Sequence, residues 1–135
     1  KFNLDYFKRY IIGRNRIIKE ILMDQKFVSG LGNIYVNEIL FFSGIKPTKE
    51  INNLSENEIK KIIKFTKKIL ARAIALGGSS IKDFSSSNGK KGLFQQHFKV
   101  YGKKGEDCYN NNCSSNIIKI VIGNRASFYC PKCQK

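Results

Sequence analysis

The stretch VSGLGNIYVNEILFFSGI, residues 28–45, decides the fold. Gly30 and Gly32 flank a single leucine. Asn33 follows, and behind it Tyr35, Val36, Ile39, Leu40 and Phe42 share one broad helical face. The glycines make a turn, a helix starts at Asn33, Gly44 is placed to cap its end, and Pro47 stops it. A helix entered through bare backbone presents unpaired N–H groups and the positive end of its dipole, which together favour an anion. A plainer reading stands beside that one: Asn33 caps its own helix and the glycines only turn the chain.

Charge says which anion to consider. The 135 residues carry 25 Lys and Arg against 10 Asp and Glu, a formal net charge of +15. Such a surface attracts polyanions, nucleic acid first and anionic membrane second. No apolar run approaches a membrane span and no signal-peptide pattern opens the chain, so a membrane role is disfavoured. The hydrophobic share of 41% suffices for one modest domain or two small modules.

Outward from the central stretch, helical spacing recurs. Leu4, Tyr6, Phe7 and Tyr10 give a short apolar face. The basic break Gly13-Arg14-Asn15-Arg16 interrupts it, and Ile17, Ile18, Ile21 and Leu22 resume it before a turn region at 24–32. Downstream, Ser55 and Glu58 form a capping box for a long helix. Ile59, Ile62, Ile63, Ile69, Leu70, Ala73 and Ile74 line its apolar side. Lys60, Lys61, Lys64, Lys67, Lys68 and Arg72 make a solvated basic side, and Gly77-Gly78 end it. Residues 79–92, rich in Ser, Gly and Lys with an Asn88-Gly89 turn signal, read as a loop. Short strands are expected at 98–101, 117–122 and 127–129. The order is a helical module over 1–92, its loop near 79–92, and a small β module over 93–135.

All four cysteines fall in that last module: Cys108, Cys113, Cys130 and Cys133, spaced C-x4-C-x16-C-x2-C. Two close pairs separated by a hairpin's length of chain can bring four sulfurs to one tetrahedral point, which suits one structural Zn²⁺. A module this small cannot build a sufficient core alone, so a metal would supply folding energy. Two disulfides, or free redox thiols, are the alternatives; the spacing and the lack of a secretion signal favour zinc. His97, the single histidine, falls outside the cysteine pairs and reads as a packing or hydrogen-bonding residue.

Four segments occur in order: GLGNIY at 30–35, GGSSIKDF at 77–84, VYGKKG at 100–105 and RASFYCPKCQ at 125–134. With them the chain resembles, over essentially its whole length, the C-terminal half of bacterial formamidopyrimidine-DNA glycosylases, base-excision enzymes for oxidised purines such as 8-oxoguanine. Endonuclease VIII shares the architecture, but the Val-Tyr-Gly and Arg-Ala-Ser-Phe-Tyr-Cys forms stand closer to the formamidopyrimidine branch. The resemblance implies a mainly α fold with a small β module: a helix–two-turn–helix DNA-binding domain followed by a β-hairpin zinc finger.

The same resemblance assigns roles. Asn33, with the turn at Gly30 and Gly32, would hold a DNA phosphate. Arg125, between the last two strands, would grip phosphates beside an extruded nucleotide, and is the family's assigned proton donor in δ-elimination. A guanidinium releases its proton poorly and binds phosphate well, so the clamp is the better-founded role. Arg14, Arg16 and Lys19 match a basic patch that meets the DNA backbone. Ser85, Ser86, Ser87, Asn88 and Gly89 match a segment closing over the flipped base, with a disordered linker as the alternative.

Two departures stand out. The family's nucleophile, an N-terminal proline followed by glutamate, has no counterpart in Lys1-Phe2-Asn3, and the partner lysine belongs to a separate β domain. The family's first knuckle, C-x2-C-Gly, is here Cys108-Tyr-Asn-Asn-Asn-Cys113-Ser114, in which asparagine is expected to take left-handed angles in place of glycine. The expectation is the DNA-binding half of a glycosylase and abasic-site lyase, inactive without its other half. It would act as a monomer on damaged double-stranded DNA, at the bacterial nucleoid in the cytoplasm, with no membrane partner. The alternatives are a stand-alone zinc-containing DNA-binding module without catalysis, and an RNA-binding zinc ribbon.

Overall fold

The structure is a computed structural model that describes residues 2–28, 30–75 and 98–135. Gly77, Gly78, the loop residues Ser85, Ser86, Ser87, Asn88 and Gly89, and His97 lie outside the described residues. Among the described residues four α-helices, α1 (Leu4–Ile11), α2 (Ile18–Met23), α3 (Asn33–Ser43) and α4 (Glu56–Ala75), with a short 3-10 turn at Ile51–Asn53, precede one antiparallel hairpin of β1 (Ile118–Ile122) and β2 (Arg125–Tyr129). The chain is mainly helical with a small β module, as its patterning predicts.

Asn3 starts α1 by accepting the Tyr6 N–H at 2.9 Å. Phe7 drops into the core and Tyr10 packs on Phe27 with ring centroids 4.5 Å apart. The basic break opens with a turn at Gly13, φ 73°, where Arg14 N–H donates to Ile11 O at 3.1 Å; beyond it Ile18 N–H donates to Lys49 O and Ile51 N–H to Arg16 O, at 2.8 and 3.0 Å. Between α2 and α3 the chain makes two turns held by side chains. Asp24 accepts the Lys26 N–H at 2.9 Å and the Tyr10 hydroxyl at 3.0 Å. Gln25 accepts the Gly30 N–H at 3.1 Å and donates to Leu31 O at 3.0 Å. Gly30 has φ 91°, the left-handed region that explains a glycine there.

The patterning of α3 suggests one apolar face, but the helix is central and buried almost all round, Asn37 and Glu38 included. It packs against α2, α4 and β2, which leaves few of its positions to solvent. Gly44 caps its end at φ 72°. The capping box forms as read: Glu58 N–H donates to Ser55 Oγ and Ser55 N–H to Glu58 Oε1, at 3.1 and 2.9 Å.

Two strand expectations need correction. Residues 98–101 form no strand. The N–H groups of Lys99, Val100 and Tyr101 instead donate to the Glu38 carboxylate at 2.7, 2.9 and 2.9 Å, and a bend wraps that side chain. The last strand begins at Arg125, not at 127, because the hairpin turns through Gly123 and Asn124, both at positive φ. Arg125 is therefore the first residue of β2, paired with Ile122.

The hairpin module has its own small core of Val100, Ile117, Phe128 and Cys130, which reaches Phe41 on α3. Its end folds back: Gln134 Nε2 donates to Ile45 O at 2.9 Å and Lys135 N–H to Gly44 O at 3.1 Å. Among the described residues no helix is long and apolar enough to cross a membrane.

Candidate functional site

The mouth of α3 is bare. Gly32 is the N-cap residue, with no side chain to accept the first N–H groups, which have no intrahelical partner. Asn33 is the first helical residue, not the cap, so the plain capping role does not hold for it. Its Nδ2 donates to the Ala126 carbonyl at 3.0 Å, which uses one of the two amide hydrogens. Its Oδ1 is buried and takes no hydrogen bond among the described residues.

The same carbonyl receives a second donor. Lys19, from α2, is 1% exposed, and its ammonium donates to Ala126 O at 3.2 Å and to the Ser127 hydroxyl. Burial, and next the Arg125 guanidinium, bring its pKa down to about 8. Asn37 completes the junction, donating to Asn33 O and accepting the Phe128 N–H, each at 2.7 Å. Three consecutive residues of β2 are thus fastened to α2 and α3, and Arg125 stands just before them.

Arg125 opens onto a cleft of about 240 Å³ shared with Arg16, Lys19, Met23 and Ile122. It is exposed and has no carboxylate partner among the described residues. Arg16 is compensated by Asp24 at 3.4 Å and Glu20 at 3.9 Å, carboxylates that line the same cleft. Arg14 does not join this group. It lies 4.1 Å from the Tyr10 ring centre, donates to Tyr10 O, and lines a separate hollow with Tyr6 and Arg9. Gly30 spends its N–H on Gln25, so its part is to shape the turn. The cleft thus presents Arg125 without a carboxylate partner, and α3 begins without a side-chain cap; each of these features can meet an anion.

The sequence reading missed Asn37 and Glu38. Two polar residues inside an otherwise apolar helix were the available signal. Tyr101, bonded to Glu38, also sets its ring edge-on to Phe128 at 5.0 Å.

The four cysteines meet. Their sulfurs lie within 4.8 Å of one another, and all are free thiols. The Cys108–Cys133 and Cys113–Cys130 sulfurs are 3.7 Å apart, and Cys113–Cys133 3.5 Å. A tetrahedral thiolate site with bonds of about 2.3 Å has sulfur–sulfur edges of about 3.8 Å, so this set can hold a metal ion. Burial pushes the Cys108 thiol up. At Cys130 burial is outweighed by the Cys133 and Lys132 N–H groups, which bring it down to about 7. Asn112, at φ 66°, takes the left-handed conformation expected of the asparagine run.

These features define a class: a helix–two-turn–helix module carrying a four-cysteine hairpin finger. The family described as the formamidopyrimidine-DNA glycosylase H2TH domain matches residues 1–85, and the chain belongs to that family. It is similar to the formamidopyrimidine-DNA glycosylase of Ruegeria sp. (strain TM1040), 44% identical over 91% of this chain and 44% of that protein. The Listeria monocytogenes serovar 1/2a protein of the same name is 44% identical over 99% of this chain and 48% of that one. Among solved structures, a complex between Lactococcus lactis Fpg and DNA containing an abasic site matches with a TM-score of 0.84 at 40% identity, over 99% of this chain and 48% of that one. A complex of MutM with carbocyclic 8-oxo-G-containing DNA matches at 0.83 and 38%, over 99% and 47%. The chain spans about half the length of the relatives it matches.

Proposed function

We propose that this chain is the DNA-gripping half of a base-excision glycosylase and abasic-site lyase that removes oxidised purines from double-stranded DNA. The carrying observation is the junction at Ala126. Lys19 and Asn33 meet at the Ala126 carbonyl, and Arg125, one residue earlier in the chain, lines a cleft with Lys19. A second feature supports a phosphate at that mouth. A Cβ added at Gly32 would meet nothing within 4 Å, and its φ of −101° suits any residue. The fold does not require glycine there, and serine or aspartate would cap the helix better. Close approach of a ligand to the backbone accounts for it.

In this reading Asn33, Gly32 and the first N–H groups of α3 hold one phosphate. Arg125 clamps phosphate at the cleft, and its guanidinium keeps its proton throughout. Lys19 adds positive potential, Arg16 adds little because Asp24 and Glu20 offset its charge, and Arg14 contributes only non-specific attraction. One Zn²⁺ on Cys108, Cys113, Cys130 and Cys133 fixes the hairpin that carries Arg125. With four protein ligands it is structural and leaves no open position for substrate. The helical module (1–92) and the finger (93–135) form the two jaws. The nucleophile comes from outside these residues.

The test is fluorescence anisotropy with a labelled duplex carrying a stable abasic analogue. Arg125→Ala should lose about ten- to a hundredfold in affinity, the worth of about one charge-assisted hydrogen bond. It should also lower the salt dependence by about one unit of slope. Asn33→Ala should weaken binding less and leave the slope nearly unchanged. Wild-type affinity in both variants overturns the clamp.

A further inference from the structure

The two cysteine knuckles differ in how they treat their sulfurs. Between Cys130 and Cys133 lie Pro131 and Lys132, and this tight turn points the Cys133 N–H at the Cys130 sulfur, 3.4 Å away. Between Cys108 and Cys113 lie four residues, Tyr109, Asn110, Asn111 and Asn112. The wider loop sends a side chain across the cluster: Asn110 Nδ2 is 3.3 Å from the Cys133 sulfur. A thiolate only accepts, so the amide must present its NH₂ group there. The loop holds that pose. Cys113 N–H donates to Asn110 O at 3.3 Å, and Asn112 reverses the chain at φ 66°.

Four thiolates around one divalent cation leave an excess of negative charge, and a donor to sulfur stabilises it while fixing the ligand's direction. We propose that Asn110 is a positioning residue of the metal centre, whose amide holds the Cys133 thiolate in place and slows loss of the ion. The proposal rests on the zinc reading above. It gives the four-residue knuckle a use, since one of its inner residues, Asn110, reaches across to Cys133.

The test uses the full zinc-loaded chain and a chromogenic chelator that reports metal transfer. Asn110→Ala should release zinc about tenfold faster, at the low end for an outer-sphere partner because the amide is exposed. In Co²⁺-loaded protein the sulfur-to-metal charge-transfer band should shift, since a donor to sulfur has gone. Asn110→Asp keeps the size, loses the donor and adds a negative charge, so it should release at least as fast. If the alanine variant does not fold, the aspartate variant reads the same bond. Asn111→Ala, in the same loop, should stay within about twofold of wild type. Wild-type release and an unshifted band in the Asn110 variants overturn the proposal, as does an Asn111→Ala variant that releases equally fast. A wild-type chain that takes up no zinc overturns this proposal and the zinc reading together, whereas a loaded chain indifferent to Asn110 overturns this one alone.

Discussion

Lys19 is an ammonium buried beside a guanidinium, and its pKa records both neighbours, falling from 10.5 to about 8. In the interval between those values the unfolded chain holds the extra proton. Stability from this group therefore rises with pH across the interval and is lost as pH falls through 8. A bound polyanion acts in the opposite sense, because it favours the ammonium. DNA binding should take up a proton near pH 8, and affinity should fall by up to about tenfold between pH 7 and 9 at fixed ionic strength. Lys19→Met should flatten that profile in anisotropy titrations. A wild-type affinity that ignores pH would disconnect Lys19 from the bound anion. Gly32 offers a test with two signs. Gly32→Ser supplies the missing cap and should stabilise the fold by a few tenths of a kcal/mol. The same hydroxyl occupies the helix mouth and should weaken DNA binding. Gly32→Asp should weaken it further by setting a carboxylate against phosphate. Raised thermal stability with unchanged affinity would mean that no phosphate sits there.

Among the elements, α3 joins the two modules. Glu38 accepts three backbone N–H groups from residues 61 to 63 positions later in the chain. Glu38→Ala would leave those donors unpaired at a largely buried site and should cost about 3 kcal/mol in denaturant unfolding. Hydrogen exchange at Lys99, Val100 and Tyr101 should speed up first; unchanged protection there would deny Glu38 its anchoring part. The same contact explains why this segment was misread. Phe98 and Val100 alternate with Lys99 as a strand would, but the partner is a distant carboxylate, which no local pattern contains. What was legible had local causes: the Ser55–Glu58 box, the Gly44 cap, the turn at Gly30, and the cysteine spacing that does bring four sulfurs together. Asn33, Lys19 and Arg125 were singled out through family likeness, but the acceptor that Lys19 and Asn33 share, the Ala126 carbonyl, was not. That meeting spans 93 and 107 positions of sequence. Arg14 and Arg16 read alike as basic residues, and only their neighbours Tyr10 and Asp24 separate them.

At the scale of the whole molecule the finger and the helices hold each other. With zinc on the four cysteines as proposed, chelation should remove exchange protection from the hairpin while the helical circular dichroism of α4 persists, because α4 rests on the helical core and its own capping box. DNA affinity should still fall, since Arg125 loses the strand that places it. Retained affinity in the metal-free chain would move the DNA contact onto the helical module alone. The proposed division of labour between grip and chemistry makes a sharper prediction. A Schiff base with an abasic-site aldehyde needs a neutral amine with open approach. Lys19 is brought down to about 8, so much of it is neutral near pH 8, but it is buried and its nitrogen is engaged with Ala126 and Ser127. Borohydride treatment of this chain on an abasic duplex should therefore leave a gel-shifted complex and no covalent adduct. An adduct that disappears in Lys19→Met would instead make Lys19 a nucleophile and place chemistry within the gripping half. An adduct that survives that change would point to another amine of the chain.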